Sequence, residues 1–148
     1  MSRSTFTTHT AHVNDTELAY TDEGRGESVV LLHGNAYDRS MWDGQVTTLA
    51  EQGWRVIAPD LRGFGESQVT EGIVYTEEFA ADIVALLDEL GLETVILLGF
   101  SMSGQVAMQI AASYPERVSA LIINDTLPTS EDAAGRRRRH VAADGIVR

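Results

Sequence analysis

Thr94-Val95-Ile96-Leu97-Leu98-Gly99-Phe100-Ser101-Met102-Ser103-Gly104 is the stretch on which the reading of this chain turns. Residues 94–99, with the apolar run 95–98 at their centre, read as a strand. Residues 102–114 keep helical spacing and stop at Pro115. Strand and helix are joined by a tight turn flanked by Gly99 and Gly104, with Ser101 at its apex. A serine hydroxyl is a weak nucleophile and must stand clear of the sheet, where a base and a substrate carbonyl can reach it. The same turn puts the Met102 N–H at a helix N-terminus, aimed at a developing oxyanion. The usual pattern is G-x-S-x-G. Here Ser103 takes the last glycine position and Gly104 follows, so slight crowding is expected. The competing reading is a glycine-rich strand-to-helix turn without chemistry.

Outward from this turn, strands and helices alternate. Polar and apolar residues alternate over 10–13 and 17–20, with Asn14-Asp15 between them, which predicts a β-hairpin. Residues 28–33 are a second buried apolar run. Ser40 is a candidate cap for a helix reaching about Gln52, with Trp42, Val46 and Leu49 on one face. Residues 54–59 read as a strand and 60–67 as a glycine-rich loop. Residues 77–90 form the clearest helix, with Phe79, Ile83, Leu86, Leu87 and Leu90 in register and Gly91 closing it. Val118–Asn124 is the last strand. The order predicts an α/β fold, mostly parallel, with helices on both faces of the sheet.

Two further segments support chemistry at Ser101. In Leu31-Leu32-His33-Gly34-Asn35 the chain leaves a buried strand; in a fold of this kind the N–H just after His-Gly can supply a second oxyanion donor, which would put Asn35 opposite Met102. His33 is expected to hold the loop by hydrogen bonds rather than to transfer protons. In Asp60-Leu61-Arg62-Gly63-Phe64-Gly65-Glu66-Ser67 the glycines permit positive φ, and Asp60 and Arg62 are expected to pin the loop by a charged hydrogen bond, as scaffold.

With these three motifs in this order and spacing, the chain resembles the α/β-hydrolase superfamily, in the branch of lactonases, esterases and cofactor-free haloperoxidases. The resemblance covers nearly the whole chain and implies a serine hydrolase acting on a carboxylic ester or lactone through an acyl-serine. It implies neither a metal nor an organic cofactor. A haloperoxidase-like perhydrolase using the same serine is one alternative, and an inactive hydrolase-like fragment or pseudoenzyme is another. A haloalkane dehalogenase is disfavoured, since it needs a carboxylate where Ser101 stands.

The family orders its triad as serine, acid, histidine. The only histidine after Ser101 is His140, in a basic tail that includes the arginine block 136–139; it is a poor candidate base. His9 and His12 fall in the predicted hairpin. Asp125 has two open readings: a triad acid following the sixth strand, as in some branches, or a loop residue opening a turn before Pro128. The expectation is therefore a partial chain: residues 1–128 as the N-terminal part of the hydrolase core, and 129–148 as the start of a cap region or a disordered tail. The sixth strand, Val118–Asn124, would then be an unpaired apolar edge open to self-association or to a complementing C-terminal half.

Composition narrows the rest. The 148 residues suit one domain, and an apolar share of 43% can supply a core. A net charge of -11 disfavours nucleic acid and anionic membrane surfaces as partners. All cationic side chains are arginines, and there is no cysteine, which excludes disulfides and thiol nucleophiles. The polar first residues show no secretory signal and no run is long enough to span a bilayer, so a cytoplasmic protein acting on a small molecule is expected.

Overall fold

A computed structural model describes residues 4–127. The sequence readings of the tail, including His140, the arginine block and the 129–148 region, lie outside the described residues.

The described residues form one six-stranded sheet. Its strands are β1 (His9–Val13), β2 (Thr16–Glu23), β3 (Ser28–Leu32), β4 (Arg55–Pro59), β5 (Val95–Phe100) and β6 (Val118–Asn124). The spatial order is β1-β2-β4-β3-β5-β6. β1 pairs antiparallel with β2, and β2 antiparallel with β4. The pairs β3–β4, β3–β5 and β5–β6 are parallel. Three α-helices connect the parallel strands: α1 (Asp43–Glu51), α2 (Thr76–Glu89) and α3 (Met102–Ser113).

The direction of travel decides which face each helix covers. From β3 the chain steps through α1 to β4 on one side. It then crosses back through α2 to β5 on the other side and continues through α3 to β6. Parallel crossovers are right-handed, so reversing direction moves the helix to the opposite face. The core divides accordingly. Val29 and Leu31 of β3 pack with Trp42, Val46, Val56 and Ala58 on the α1 face. Val30 and Leu32 pack with Phe79, Ile83, Leu86, Val106 and Ile110 on the face of α2 and α3. β3 is buried along its whole length because it serves both layers. The strand order reverses at β3, and in sheets of this kind the usual place for a ligand is outside the C-terminal ends of the strands at the reversal, here β3 and β5.

The start of the first helix differs from the sequence reading. Ser40 is not the cap of a single helix. Asp38 accepts the Ser40 N–H with its side chain, a 3-10 turn runs over Arg39–Trp42, and α1 begins only at Asp43. Asp38 is extended and its carboxylate satisfies an orphan donor, which a helix period over apolar residues does not reveal. The clearest predicted helix occupies Thr76–Glu89, one residue earlier than expected. Glu78 reaches back to the Tyr75 N–H at 2.8 Å.

Candidate active site

Ser101 is the junction between β5 and α3. It adopts φ 54° and ψ −120°, a backbone state that costs a non-glycine residue about 1–3 kcal/mol. The surroundings hold it there at both ends. Its N–H donates to the Asn124 carbonyl at 2.9 Å. Its carbonyl accepts from the Gly104 N–H at 2.9 Å and from Thr126 Oγ1 at 2.8 Å. The residue stays half-buried.

The flanking glycines answer to close approach. A Cβ on Gly99 would overlap the Ser103 carbonyl oxygen and lie 2.7 Å from the Gly104 Cα. A Cβ on Gly104 would overlap the Thr126 side chain, which folds back from the end of β6 onto the turn. Ser103, in the position where the pattern has glycine, is completely buried. Its hydroxyl donates to the main-chain carbonyl of His33. The expected crowding is thus taken up as a hydrogen bond from the turn to the loop that follows β3.

That loop lies against Ser101. A Cβ on Gly34 would stand 2.8 Å from the Phe100 ring and 3.3 Å from the Ser101 Cβ. The Tyr37 N–H closes a turn on the Gly34 carbonyl at 3.2 Å, with Ala36 at φ 66°. Asn35 lies within this turn, one residue from the glycine that touches Ser101. Its side-chain Oδ1 is buried with no partner among the described residues. Met102 is the first residue of α3, so its N–H has no acceptor inside the helix. No acidic residue occupies the first turn of α3 to oppose a developing negative charge there.

His33 is fully buried and both ring nitrogens are engaged. Nε2 accepts the Leu61 N–H at 3.0 Å. The proton therefore resides on Nδ1, which donates to the Gly34 carbonyl at 2.8 Å. Burial lowers its proton affinity below the ordinary histidine value; the Gly34 hydrogen bond and the charges of Asp60 and Asp38 oppose this less strongly. His33 has no free lone pair to act on Ser101. His9 and His12 sit in β1, at the opposite edge of the sheet. Asp125 leaves β6 exposed, at φ 51°, next to the threonine that contacts the Ser101 carbonyl.

Asp60 and Arg62 pin their loop, but not by pairing with each other. Asp60 accepts the Arg39 N–H at 2.6 Å, forms an ion pair with the Arg39 guanidinium, and accepts the Glu66 N–H at 2.9 Å. Arg62 reaches Asp82 of α2 through Nε at 2.8 Å and a terminal nitrogen at 2.7 Å, and also pairs with Asp15 in the β1–β2 turn. These carboxylates hold the Arg62 guanidinium firmly protonated. Arg39 and Asp82 carry no local motif, and their roles appear only once β3, β4 and α2 are packed.

The family model of the α/β-hydrolase fold matches residues 27–143. The chain belongs to the α/β-hydrolase family. It is similar to a putative non-heme chloroperoxidase from Synechocystis, with 38% identity over 76% of this chain and 41% of that protein. It is also similar to a soluble epoxide hydrolase from Corynebacterium, with 35% identity over 82% of this chain and 42% of that one. Among solved structures, a thermophilic esterase from Thermogutta terrifontis superposes with a TM-score of 0.80 at 41% identity, covering 90% of this chain and 51% of the esterase. The chain thus spans about half or less of the length of these relatives. Among the described residues no helix is long and apolar enough to cross a membrane.

Proposed function

We propose that this chain carries the nucleophile and oxyanion-binding half of a serine hydrolase acting on a small carboxylic ester or lactone. The observation that carries the reading is Ser101 at φ 54° and ψ −120° on the strand-to-helix junction. Ser101 Oγ attacks the acyl carbon, and the Met102 and Asn35 amides receive the negative charge on the carbonyl oxygen. The tetrahedral adduct then collapses to acyl-serine and releases the alcohol. The Ser101 proton passes to a base and from it to the leaving alkoxide. That base is assigned outside residues 4–127, because His33 is committed to the loop and β1 is remote. Without it, acylation and turnover both slow by roughly 10⁴-fold or more, so the Ser101 adduct is read as a slow single acylation over a long incubation. Some relatives are named epoxide hydrolases. A carboxylate nucleophile would suit attack on an alkyl carbon, whereas the Ser101 hydroxyl suits an acyl carbon.

The similarity to a protein named as a chloroperoxidase favours one second reading: the same acyl-serine attacked by hydrogen peroxide, releasing a peracid and free Ser101.

p-Nitrophenyl butyrate tests the acyl-serine step. The wild-type chain should release close to one equivalent of p-nitrophenol and carry a butyryl group on the Ser101 peptide, while Ser101→Ala does neither. Equal release from both proteins would reject the reading. Addition of hydrogen peroxide to the acylated chain then separates peracid formation from hydrolysis.

A further inference from the structure

Two amides can stabilise one oxyanion only if both lie about 2.7–3.1 Å from the place it will occupy. Here they belong to different elements. Met102 is fixed by α3, while Asn35 rides on the turn after β3. The β3–β5 ladder has its last pair at Leu32 and Gly99, short of both residues. Past that point the hydroxyl of Ser103 crosses the gap to the His33 carbonyl. The link is short in covalent terms: Ser103 follows Met102 directly, and His33 stands two residues before Asn35. Both Ser103 and His33 are fully buried, so water does not readily replace the donor. A glycine at position 103, as in the usual pattern, has no side-chain donor to offer.

We infer that Ser103 is a positioning residue whose buried hydroxyl sets the separation of the Met102 and Asn35 amides. The inference rests on the proposal that Ser101 is the nucleophile and these amides its oxyanion donors. Ser103 touches neither the reacting serine oxygen nor the substrate. It acts through the His33 carbonyl, and its loss lets the 34–37 turn drift from α3. The consequence is weaker stabilisation of the transition state with substrate binding left intact.

The test compares the wild-type chain with Ser103→Ala and Ser103→Cys, using p-nitrophenyl butyrate acylation and amide hydrogen exchange. Ser103→Ala should acylate at least tenfold more slowly at saturating ester, with the half-saturating concentration within twofold of wild type. Ser103→Cys keeps a weak donor of similar size and should fall between the two. In Ser103→Ala the Tyr37 and Leu61 amides should exchange faster, while those of Val106 and Ala107 within α3 stay as they are. Acylation of Ser103→Ala at the wild-type rate overturns the inference and leaves the Ser101 proposal standing. Faster exchange throughout α3 also overturns it, since the hydroxyl would then serve general stability. If the wild-type chain is not acylated above Ser101→Ala, the nucleophile proposal fails and exchange at Tyr37 and Leu61 alone decides whether Ser103 holds the loop.

Discussion

Ser101 keeps a left-handed backbone that only its partners impose, namely the Asn124 carbonyl on one side and the Gly104 and Thr126 donors on the other. Alanine at this position removes the hydroxyl and leaves the strain; glycine removes both. Ser101→Gly should therefore be more stable than Ser101→Ala by about 1 kcal/mol, after allowing for the freedom glycine gains in the unfolded chain. Urea unfolding of the two variants checks this, and equal midpoints would show that the turn is relaxed. His33 gives a pH signature. It is neutral in the fold because burial lowers its proton affinity, whereas the unfolded chain takes up a proton near pH 6.5. The unfolded state thus binds more protons as the pH drops. The contribution of His33 is complete above about pH 6.5 and is lost on acidification, by at most about 1.4 kcal/mol per pH unit. His33→Gln should be less stable than wild type at pH 7, and the gap should narrow toward pH 5. A gap that stays constant with pH would mean that the ring titrates alike in both states. That His33 holds its loop through both nitrogens was inferable as a type of role from His-Gly-Asn. Its partner Leu61 was not, because that residue lies across a strand pairing.

At the level of elements, the unbroken apolar runs of β3, β4 and β5 made those strands readable, and Gly91 and Pro115 marked where α2 and α3 stop. The start of α1 was misread, because a 3-10 turn capped by Asp38 shares its first residues with a helical pattern. The partners of Asp60 and Arg62 were not legible for a related reason. Both residues sit on a loop whose neighbours, Arg39 and Asp82, come close only after crossovers on opposite faces have formed. β6 is the element with an unspent surface. Its outer edge has no neighbouring strand among the described residues. Leu121, Ile122 and Ile123 are exposed at 38%, 46% and 38%. Apolar edges of this kind pair readily with another chain. We propose that the isolated chain associates through β6 with a second copy. Light scattering should show dimers or larger species whose fraction rises with concentration and falls in Ile122→Lys. A concentration-independent monomer with slow amide exchange across Val118–Asn124 would refute this.

Across the molecule, one topological event explains the layout. The reversal at β3 sends α1 to one face and α2 and α3 to the other. It leaves the loops after β3 and β5 side by side at the ends of their strands. His33, Gly34 and Asn35 meet Ser101, Met102 and Ser103 there, while the Asp60–Arg39 and Arg62–Asp82 pairs brace the neighbouring loop. This meeting was foreseeable from three motifs in the right order. The hydroxyl contact that joins them was not, since Ser103 read as a departure from pattern rather than as a donor. Ser101 carries the central claim, and its reactivity can be measured directly. The 148-residue chain is incubated with a fluorophosphonate, digested, and mapped by mass spectrometry. One phosphonyl group on the Ser101 peptide, absent from Ser101→Ala, is the expected result. No adduct, or equal labelling of another residue in both proteins, would contradict it.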